Sequence, residues 1–224
     1  MTCTITSPRI QRLLDDLYAD AEKSPLSPRA GGPQPPYPRG SRELFHALRH
    51  VYMAIGPEFG NLLYTLVRTS QSRNIVEFGT SMGISAIFLA AGLQDNGGGQ
   101  LITTEFEPEK ITRARQNLSD AGLVELVQFR IGDAYETLQN DMPPAVDFLF
   151  LDGAKEMYLD VLKVVEPHLR PGAIIAADNT DHDGIETYLS YVRNPAHGYA
   201  SSAIQTTRDG HPSGHEITYR TLGE

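Results

Sequence analysis

The fold is decided by residues 74–90, "NIVEFGTSMGISAIFLA", which are typical of a strand, a glycine-bearing turn and a helix in immediate succession. The apolar run at 75–78 predicts a buried strand, and the apolar stretch after Gly83 predicts a buried helix. Gly79 and Gly83 let the backbone turn sharply and let a ligand approach closely. Because the helix N-terminus beyond them presents unpaired N–H groups, this turn is a candidate ligand site.

The same alternation of strand and helix continues along the chain. Apolar runs predict further strands at 100–104, 127–131, 148–151 and 173–177, and amphipathic stretches predict helices at 83–92, 108–121, 135–139 and 158–168. Because right-handed crossovers link successive strands, this pattern predicts a parallel sheet with helices on both faces, an α/β fold. A helix at about 184–192 and two strand-like runs, 199–206 and 215–221, then predict an antiparallel hairpin at the sheet edge.

The first 56 residues lack this alternation. They predict a helix from Pro8 to about Lys23 and a second one that begins after Ser41 and carries Leu44, Leu48, Val51 and Tyr52. Between them, residues 24–40, "SPLSPRAGGPQPPYPRG", are too rich in proline and glycine for a regular element. Two interpretations stay open, a linker or a loop that covers a site and orders when a ligand binds. We interpret 1–224 as one domain in which 1–56 forms a lid or a dimer segment.

The composition excludes several classes of protein. The chain has 224 residues, of which 40% are hydrophobic and 21% charged, a mixture that excludes global disorder. No apolar run reaches the ~18–20 residues of a membrane helix, and the N-terminus lacks the pattern of a signal peptide. Since Cys3 alone can form neither an intramolecular disulfide nor a thiolate metal site, we expect a cytoplasmic location. The net charge of −9 argues against nucleic acid as a partner.

Carboxylates at the ends of the first three strands indicate a nucleotide-type ligand. Glu105 follows the second strand, where a carboxylate can accept both hydroxyls of a ribose. Glu77 lies inside the first strand, where a charge needs a partner such as a cationic ligand or the N–H groups of the turn. Asp133, after the third strand, either caps the following helix or accepts from an adenine amine.

A second group of polar residues follows the fourth and fifth strands, in "DFLFLDGAKEMY" and "AIIAADNTDHDG". Adjacent parallel strands bring Asp152 to the same edge as Asp178 and Asn179, and these oxygen ligands suit Mg²⁺ or a similar cation. Taken singly, each aspartate could equally cap a helix or form a turn. Lys155 is either a solvated lysine at a helix start or a base whose pKa a neighbouring metal lowers.

Five motifs in order, "VEFGTSMGISA", "TTEFEPE", "IGDAYETL", "LFLDGAKEMY" and "AADNTDHDG", resemble those of the cation-dependent, S-adenosylmethionine-dependent O-methyltransferases. That family includes catechol O-methyltransferase and the plant caffeoyl-coenzyme A enzymes. The resemblance runs from about residue 56 to 179, and more loosely to 220. It implies a Rossmann-like class I methyltransferase fold with a mostly parallel, seven-stranded sheet and a C-terminal antiparallel hairpin.

The resemblance also implies roles for individual residues. The residues that would bind S-adenosyl-L-methionine are Glu77, Gly79, Thr80, Ser81, Ser85, Glu105, Phe106, Asp133, Ala134 and Asp152. Asp152, Asp178 and Asn179 would hold Mg²⁺ or another divalent cation. Lys155 would be the general base, with Asp152 as its catalytic partner.

The function implied is methyl transfer to a hydroxyl of a small, catechol-like aromatic acceptor by a homodimeric enzyme. Gly153 and Ala154 stand where the catechol enzyme has bulky residues, so we expect a more open wall beside the acceptor. Gln205 is the nearest counterpart of that enzyme's substrate-binding glutamate. Two alternatives stay open, a methyltransferase of a hydroxylated tRNA base and a dinucleotide-dependent dehydrogenase. The acidic charge argues against the first, and the absence of G-x-G-x-x-G spacing argues against the second.

Overall fold

The sheet has the architecture that the sequence predicts. A computed structural model describes residues 3–23, 36–38, 41–208 and 210–221, and within them seven strands form one sheet in the order β3-β2-β1-β4-β5-β7-β6. The strands are β1 (Asn74–Phe78), β2 (Gln100–Glu105), β3 (Val127–Ile131), β4 (Val146–Leu151), β5 (Leu169–Asp178), β6 (Tyr199–Arg208) and β7 (His211–Arg220). The first five strands are parallel, and β7 runs antiparallel to both β5 and β6. The predicted class I methyltransferase fold is therefore confirmed.

Helices cover both faces of the sheet. They are α1 (Pro8–Glu22), α2 (Arg42–Ala47), α3 (Pro57–Thr69), α4 (Ile84–Asp95), α5 (Pro108–Ala121), α6 (Ala134–Thr137), α7 (Tyr158–Val165) and α8 (Glu186–Val192). The apolar residues of α1, α3, α4 and α5 form one cluster with the sheet, and those of α6, α7 and α8 form a second. Since α4 packs against β2 and against both α3 and α5, it is buried from Ile84 to Leu93. Gly60 lets α3 approach closely, because a Cβ there would lie 2.5 Å from the Phe88 ring.

Several element ends differ from the sequence prediction. β5 begins at Leu169 instead of 173, because its first residues also pair with β4 and the Arg170–Asp147 ion pair (2.5 Å) holds them there. α7 ends at Val165, and a short 3₁₀ turn containing Pro167 follows, because proline has no N–H to continue the helix. The hairpin strands meet more closely than predicted, since pairing continues to the ends of β6 and β7.

The N-terminal region is only partly described. α2 ends at Ala47, and Val51 and Ile55 are buried in the segment after it, so tertiary packing ends the predicted second helix early. The loop predicted at 24–40 lies outside the described residues except for 36–38, so its role as a lid or linker stays a prediction. Over the described part of the chain, no helix combines the length and apolar character that a membrane span requires.

Candidate active site at the carboxyl ends of the strands

The glycine turn after β1 is held tightly between the neighbouring strands. Gly79, Ser81 and Gly83 all have positive φ angles (101°, 45° and 84°), which makes the turn compact. The N–H of Gly79 donates to the Thr104 carbonyl (3.2 Å), and a Cβ on Gly79 would lie 2.4 Å from the backbone oxygen of Asp152. Only glycine fits there without displacing a neighbouring strand end.

Glu77 is fully buried beneath this turn and has hydrogen-bond partners. Ser85 on α4 and Thr103 on β2 each donate to its carboxylate at 2.5 Å, and the Thr103 hydroxyl also contacts that of Thr80. Burial raises the pKa of Glu77 to about 7, although the two hydroxyl donors lower it. The structure therefore brings the predicted residues Glu77, Thr80 and Ser85 together. The sequence analysis did not single out Thr103, which lies in the motif at 103–109.

Glu105 joins the end of β2 to the glycine turn. Its carboxylate accepts from the backbone N–H groups of Ser81 (2.8 Å), Phe106 (2.9 Å) and Glu107 (3.0 Å). Lys110 on α5, which the sequence analysis did not single out, is buried close by with its amine 3.4 Å from the Ser81 hydroxyl. Burial lowers the pKa of this lysine, and the negative charge of Glu105 opposes that shift.

Asp133 caps α6 and also contacts α2. It accepts from the N–H of Tyr135 (2.9 Å), which is the helix cap foreseen as one of its two roles. The guanidinium of Arg42 lies 3.1 Å from the Asp133 carboxylate and over the half-exposed ring of Phe106, 4.9 Å from its centroid. Ala134 is buried directly beneath. Arg42 was not predicted, because nothing local in the sequence indicates that α2 crosses this edge.

Asp152 directly follows β4, and Asp178 is the last residue of the adjacent strand β5, so the two aspartates are neighbours. Leu151 pairs with Ala177, so the residues after them leave β4 and β5 together. Burial, and after it the negative charge of Asp178, raises the pKa of Asp152 well above its ordinary value. Asn179 comes next in the left-handed conformation, with φ 53°.

This donor set fits a divalent cation. Two neighbouring carboxylates repel each other, and a hard cation would relieve that repulsion while an amide oxygen supplies a third ligand. Across the described residues, no group of three or more His, Cys, Asp or Glu side chains is arranged to hold a metal. The predicted donor set therefore differs from such a group in combining two carboxylates, Asp152 and Asp178, with the amide Asn179.

Lys155 lies next to Asp152 at the same edge of the sheet. Its amine is 3.4 Å from the Asp152 carboxylate and 2.6 Å from the hydroxyl of Tyr158, and its side chain is 13% exposed. The interpretation as a freely solvated lysine is therefore wrong. A Cβ on the neighbouring Gly153 would lie 2.3 Å from the ring of Phe78, so this ring packs directly against Gly153. The more open wall beside the acceptor stays a prediction.

His215 on β7 is a buried neighbour of Asp178 that sequence reasoning missed. Its Nδ1 lies 2.7 Å from Asp178 Oδ1 without the alignment of a hydrogen bond, and its Nε2 lies 2.8 Å from the Thr206 hydroxyl. The ring stacks on Phe59 with centroids 3.7 Å apart. Gln205, the predicted acceptor-binding residue, is exposed.

Comparisons with known proteins agree with this layout. A family model described as a methyltransferase domain matches residues 76–180. The catechol O-methyltransferase of Niastella koreensis is 35% identical over 135 residues, which cover 59% of this chain and 60% of that protein. Over these regions the chain is similar to the catechol/caffeoyl-CoA O-methyltransferase-like family of S-adenosylmethionine-dependent methyltransferases.

Solved members of the methyltransferase fold extend the likeness over most of the chain. The O-methyltransferase of Bacillus cereus, solved with S-adenosylhomocysteine, has a TM-score of 0.72 and 25% identity, covering 94% of this chain and 91% of that one. The O-methyltransferase TomG of Streptomyces achromogenes, solved with S-adenosylmethionine, has a TM-score of 0.69 and 27% identity, covering 79% and 86%. The chain spans about three-fifths of the length of the curated family members it matches first, at 60%, 59% and 59%.

Proposed function

We propose that this protein transfers a methyl group from S-adenosylmethionine to a hydroxyl of a small, catechol-like aromatic acceptor, with the help of a divalent cation. The observation that carries the proposal is that the glycine turn after β1 and the polar residues after β4 lie next to each other at one edge of the sheet. Asp152, which contacts Lys155, lies against the glycine turn through its own backbone oxygen. A cofactor on the turn and an acceptor at the aspartates would therefore be neighbours.

The cofactor-binding side of the proposal rests on the turn and its carboxylates. Glu77 would bind the amino group of the methionine part, and Ser85 at the start of α4 would lie near its carboxylate. Ser81 would line the methionine part as well, and Phe106 is a further cofactor residue. Glu105 would hold the ribose, which requires it to exchange some of its present backbone N–H partners for hydroxyls. The remaining predicted cofactor residues are Gly79, Thr80, Asp133, Ala134 and Asp152.

The acceptor side rests on Asp152, Asp178, Asn179 and Lys155. S-adenosylmethionine supplies an electrophilic methyl group on a positively charged sulfur, and a bound divalent cation lowers the pKa of a hydroxyl that it coordinates. Asp152, Asp178 and Asn179 would hold the cation and so orient the acceptor hydroxyl. Lys155 would accept the proton of that hydroxyl at Nζ, and burial of the site would exclude water as a competing acceptor.

We further propose that α2 closes over the cofactor as part of a lid. The helix buries none of its own residues, and its contacts with the cofactor side are charged. Arg42 pairs with Asp133 (3.1 Å), and His46 contacts Glu107 (3.3 Å). A segment held by a few polar contacts from its exposed side chains Arg42 and His46, with no fully buried residue of its own, can open at low cost. The homodimer stays a prediction, which the molar mass in solution tests.

The test is methylation of a panel of catechols with Mg²⁺, with and without EDTA. We expect activity that is lost with EDTA and restored by excess Mg²⁺, and a Lys155→Ala variant slowed by at least about a hundredfold, within the range of general base catalysis. The matched control is Lys163→Ala, which removes an exposed lysine that contacts Glu166. Activity that withstands both EDTA and Lys155→Ala would contradict the mechanism.

A further inference from the structure

Tyr158 places a hydroxyl group between the lysine and the aspartates of the proposed site. It is the first residue of α7 and is fully buried. Its ring packs edge-on against Phe78, with centroids 6.2 Å apart, and against Tyr188 at 5.7 Å. These two contacts fix the ring, so the direction of the hydroxyl is set by packing.

The hydrogen bonds of this hydroxyl form a directed chain. Lys155 Nζ donates to the Tyr158 oxygen at 2.6 Å, and the Tyr158 hydroxyl donates to the backbone carbonyl of Asp178 at 3.1 Å. A phenol has one proton to donate, and here the carbonyl takes it. Burial holds the pKa of Tyr158 well above its ordinary value, so the group stays a neutral phenol. Its oxygen is therefore left to accept from the lysine.

We propose that Tyr158 is a positioning residue that ties the Lys155 amine to the backbone of Asp178. The contact of the amine with Tyr158 (2.6 Å) is much shorter than its contact with Asp152 (3.4 Å). A lysine side chain has four rotatable bonds, so a single long contact would leave the amine several places to occupy. The tyrosine selects one of them, beside Asp152.

The same hydrogen bond also reaches the turn that carries the third proposed cation ligand. The Asp178 carbonyl belongs to the peptide that leads into Asn179, which has the left-handed φ of 53°. One hydroxyl thus links the lysine to the segment that bears Asp178 and Asn179. The inference rests on the proposed function, in which Lys155 accepts the proton of the acceptor.

The test is the Tyr158→Phe variant, which removes the hydroxyl and keeps the ring. We expect kcat to fall by about ten- to a hundredfold, because a misplacement of the base by about 1 Å has that effect. The KM for S-adenosylmethionine and the calorimetric Kd for S-adenosylhomocysteine should stay within about twofold, since Tyr158 touches none of the proposed cofactor ligands except through Lys155. A kcat within about twofold of wild type would overturn the proposal.

Tyr188→Phe is the matched control, because Tyr188 is also fully buried and packs against Tyr158 but has no contact with Lys155. We expect its kcat to be unchanged. If Tyr188→Phe lowers kcat as much as Tyr158→Phe does, with the same loss of thermal stability, the effect is structural and the positioning role is wrong.

Two further measurements separate this inference from the proposed function. In a Lys155→Ala background, Tyr158→Phe should cause no further loss of kcat, because a residue acting through the lysine has nothing left to position. A Lys155→Ala variant as active as wild type would defeat the proposed function alone. The crystal structure of Tyr158→Phe then decides the inference without any activity, since a Lys155 amine that stays within about 0.5 Å of its wild-type place overturns it.

Discussion

Replacing Glu77 by glutamine should stabilise the protein at neutral and alkaline pH. Burial raises the pKa of the Glu77 carboxyl from 4.5 to about 7. A carboxyl whose pKa rises on folding keeps its proton in the folded chain at pH values where the unfolded chain has lost it. Since one pKa unit corresponds to about 1.4 kcal/mol, the rise corresponds to about 3 kcal/mol of folding free energy.

The sign of the effect follows from the direction of the shift. Below the unfolded pKa of 4.5 the carboxyl is protonated in both states and costs nothing. As the pH rises from there to about 7, the folded wild type loses stability, and above that value the full cost is present. The amide introduced by Glu77→Gln is neutral at every pH, so the variant escapes this loss while it keeps a hydrogen-bonding group beside Ser85 and Thr103.

Urea unfolding of both proteins at about pH 5 and about pH 8 measures this difference. At each pH, the free energy of unfolding of the wild type is subtracted from that of Glu77→Gln. This difference should be about 2–3 kcal/mol larger at pH 8 than at pH 5. Glu125→Gln, at an exposed glutamate, is the control and should show no such gain. A difference between Glu77→Gln and wild type that is the same at both pH values would refute the reasoning.

The same carboxyl should couple cofactor binding to pH. In the proposed function the ionised form of Glu77 binds a cationic amino group, so wild-type affinity for S-adenosylhomocysteine should fall as the pH drops below about 7. Calorimetry in buffers of different ionisation enthalpy should detect a proton released on binding. Glu77→Gln should bind more weakly and without that proton release.

Three other changes test the site more briefly. Gly79→Ala should lower the free energy of unfolding by at least about 2 kcal/mol in urea, because it combines a positive φ with a clash against a backbone carbonyl. Arg42→Ala should speed the dissociation of S-adenosylhomocysteine by about two- to fivefold in stopped-flow, since it removes an exposed ion pair with Asp133. His215→Ala should weaken Mn²⁺ binding by about tenfold in an electron paramagnetic resonance titration, because it leaves Asp178 without its buried neighbour.

For each of these variants, one result would contradict the prediction. Gly98 has a similar positive φ of 99° but open space around it, so Gly98→Ala isolates the cost of φ alone. If Gly98→Ala costs as much as Gly79→Ala, the clash is irrelevant. If added salt does not change the dissociation rate of S-adenosylhomocysteine, α2 is not held by charge. If His215→Ala binds Mn²⁺ as tightly as the wild type, His215 has no role in cation binding.

The order of elements and the positions of Asp152 and Asp178 at strand ends were predictable because they depend on local patterns. A strand followed by glycine and a helix is visible within residues 74–90, and Asp152 and Asp178 are visible as the ends of apolar runs. The contacts of Arg42 and His215 were not predictable in this way. They depend on which strand lies next to which and on where α2 crosses the sheet, and no short stretch of sequence contains either fact.

The role of Tyr158 was only partly predictable from the sequence. Its identity was inside a quoted motif, three residues after Lys155, and that spacing is compatible with contact across one helical turn. Its importance depends on the Asp178 carbonyl, which comes from a different strand. Sequence spacing therefore indicated a neighbour of the lysine but not the connection that it makes.

The place of β7 between β5 and β6 has a consequence for how the protein is made. The ribosome releases residues 211–220 after the other six strands of the described sheet, yet this strand enters the interior of the sheet and brings His215 against Asp178. Until it arrives, β5 is an open edge whose backbone groups can pair with another chain. A nascent or truncated chain that stops before residue 211 therefore has an incomplete site and an unpaired strand edge at the same time. The addition of β7 completes the site and also protects the chain from aggregation.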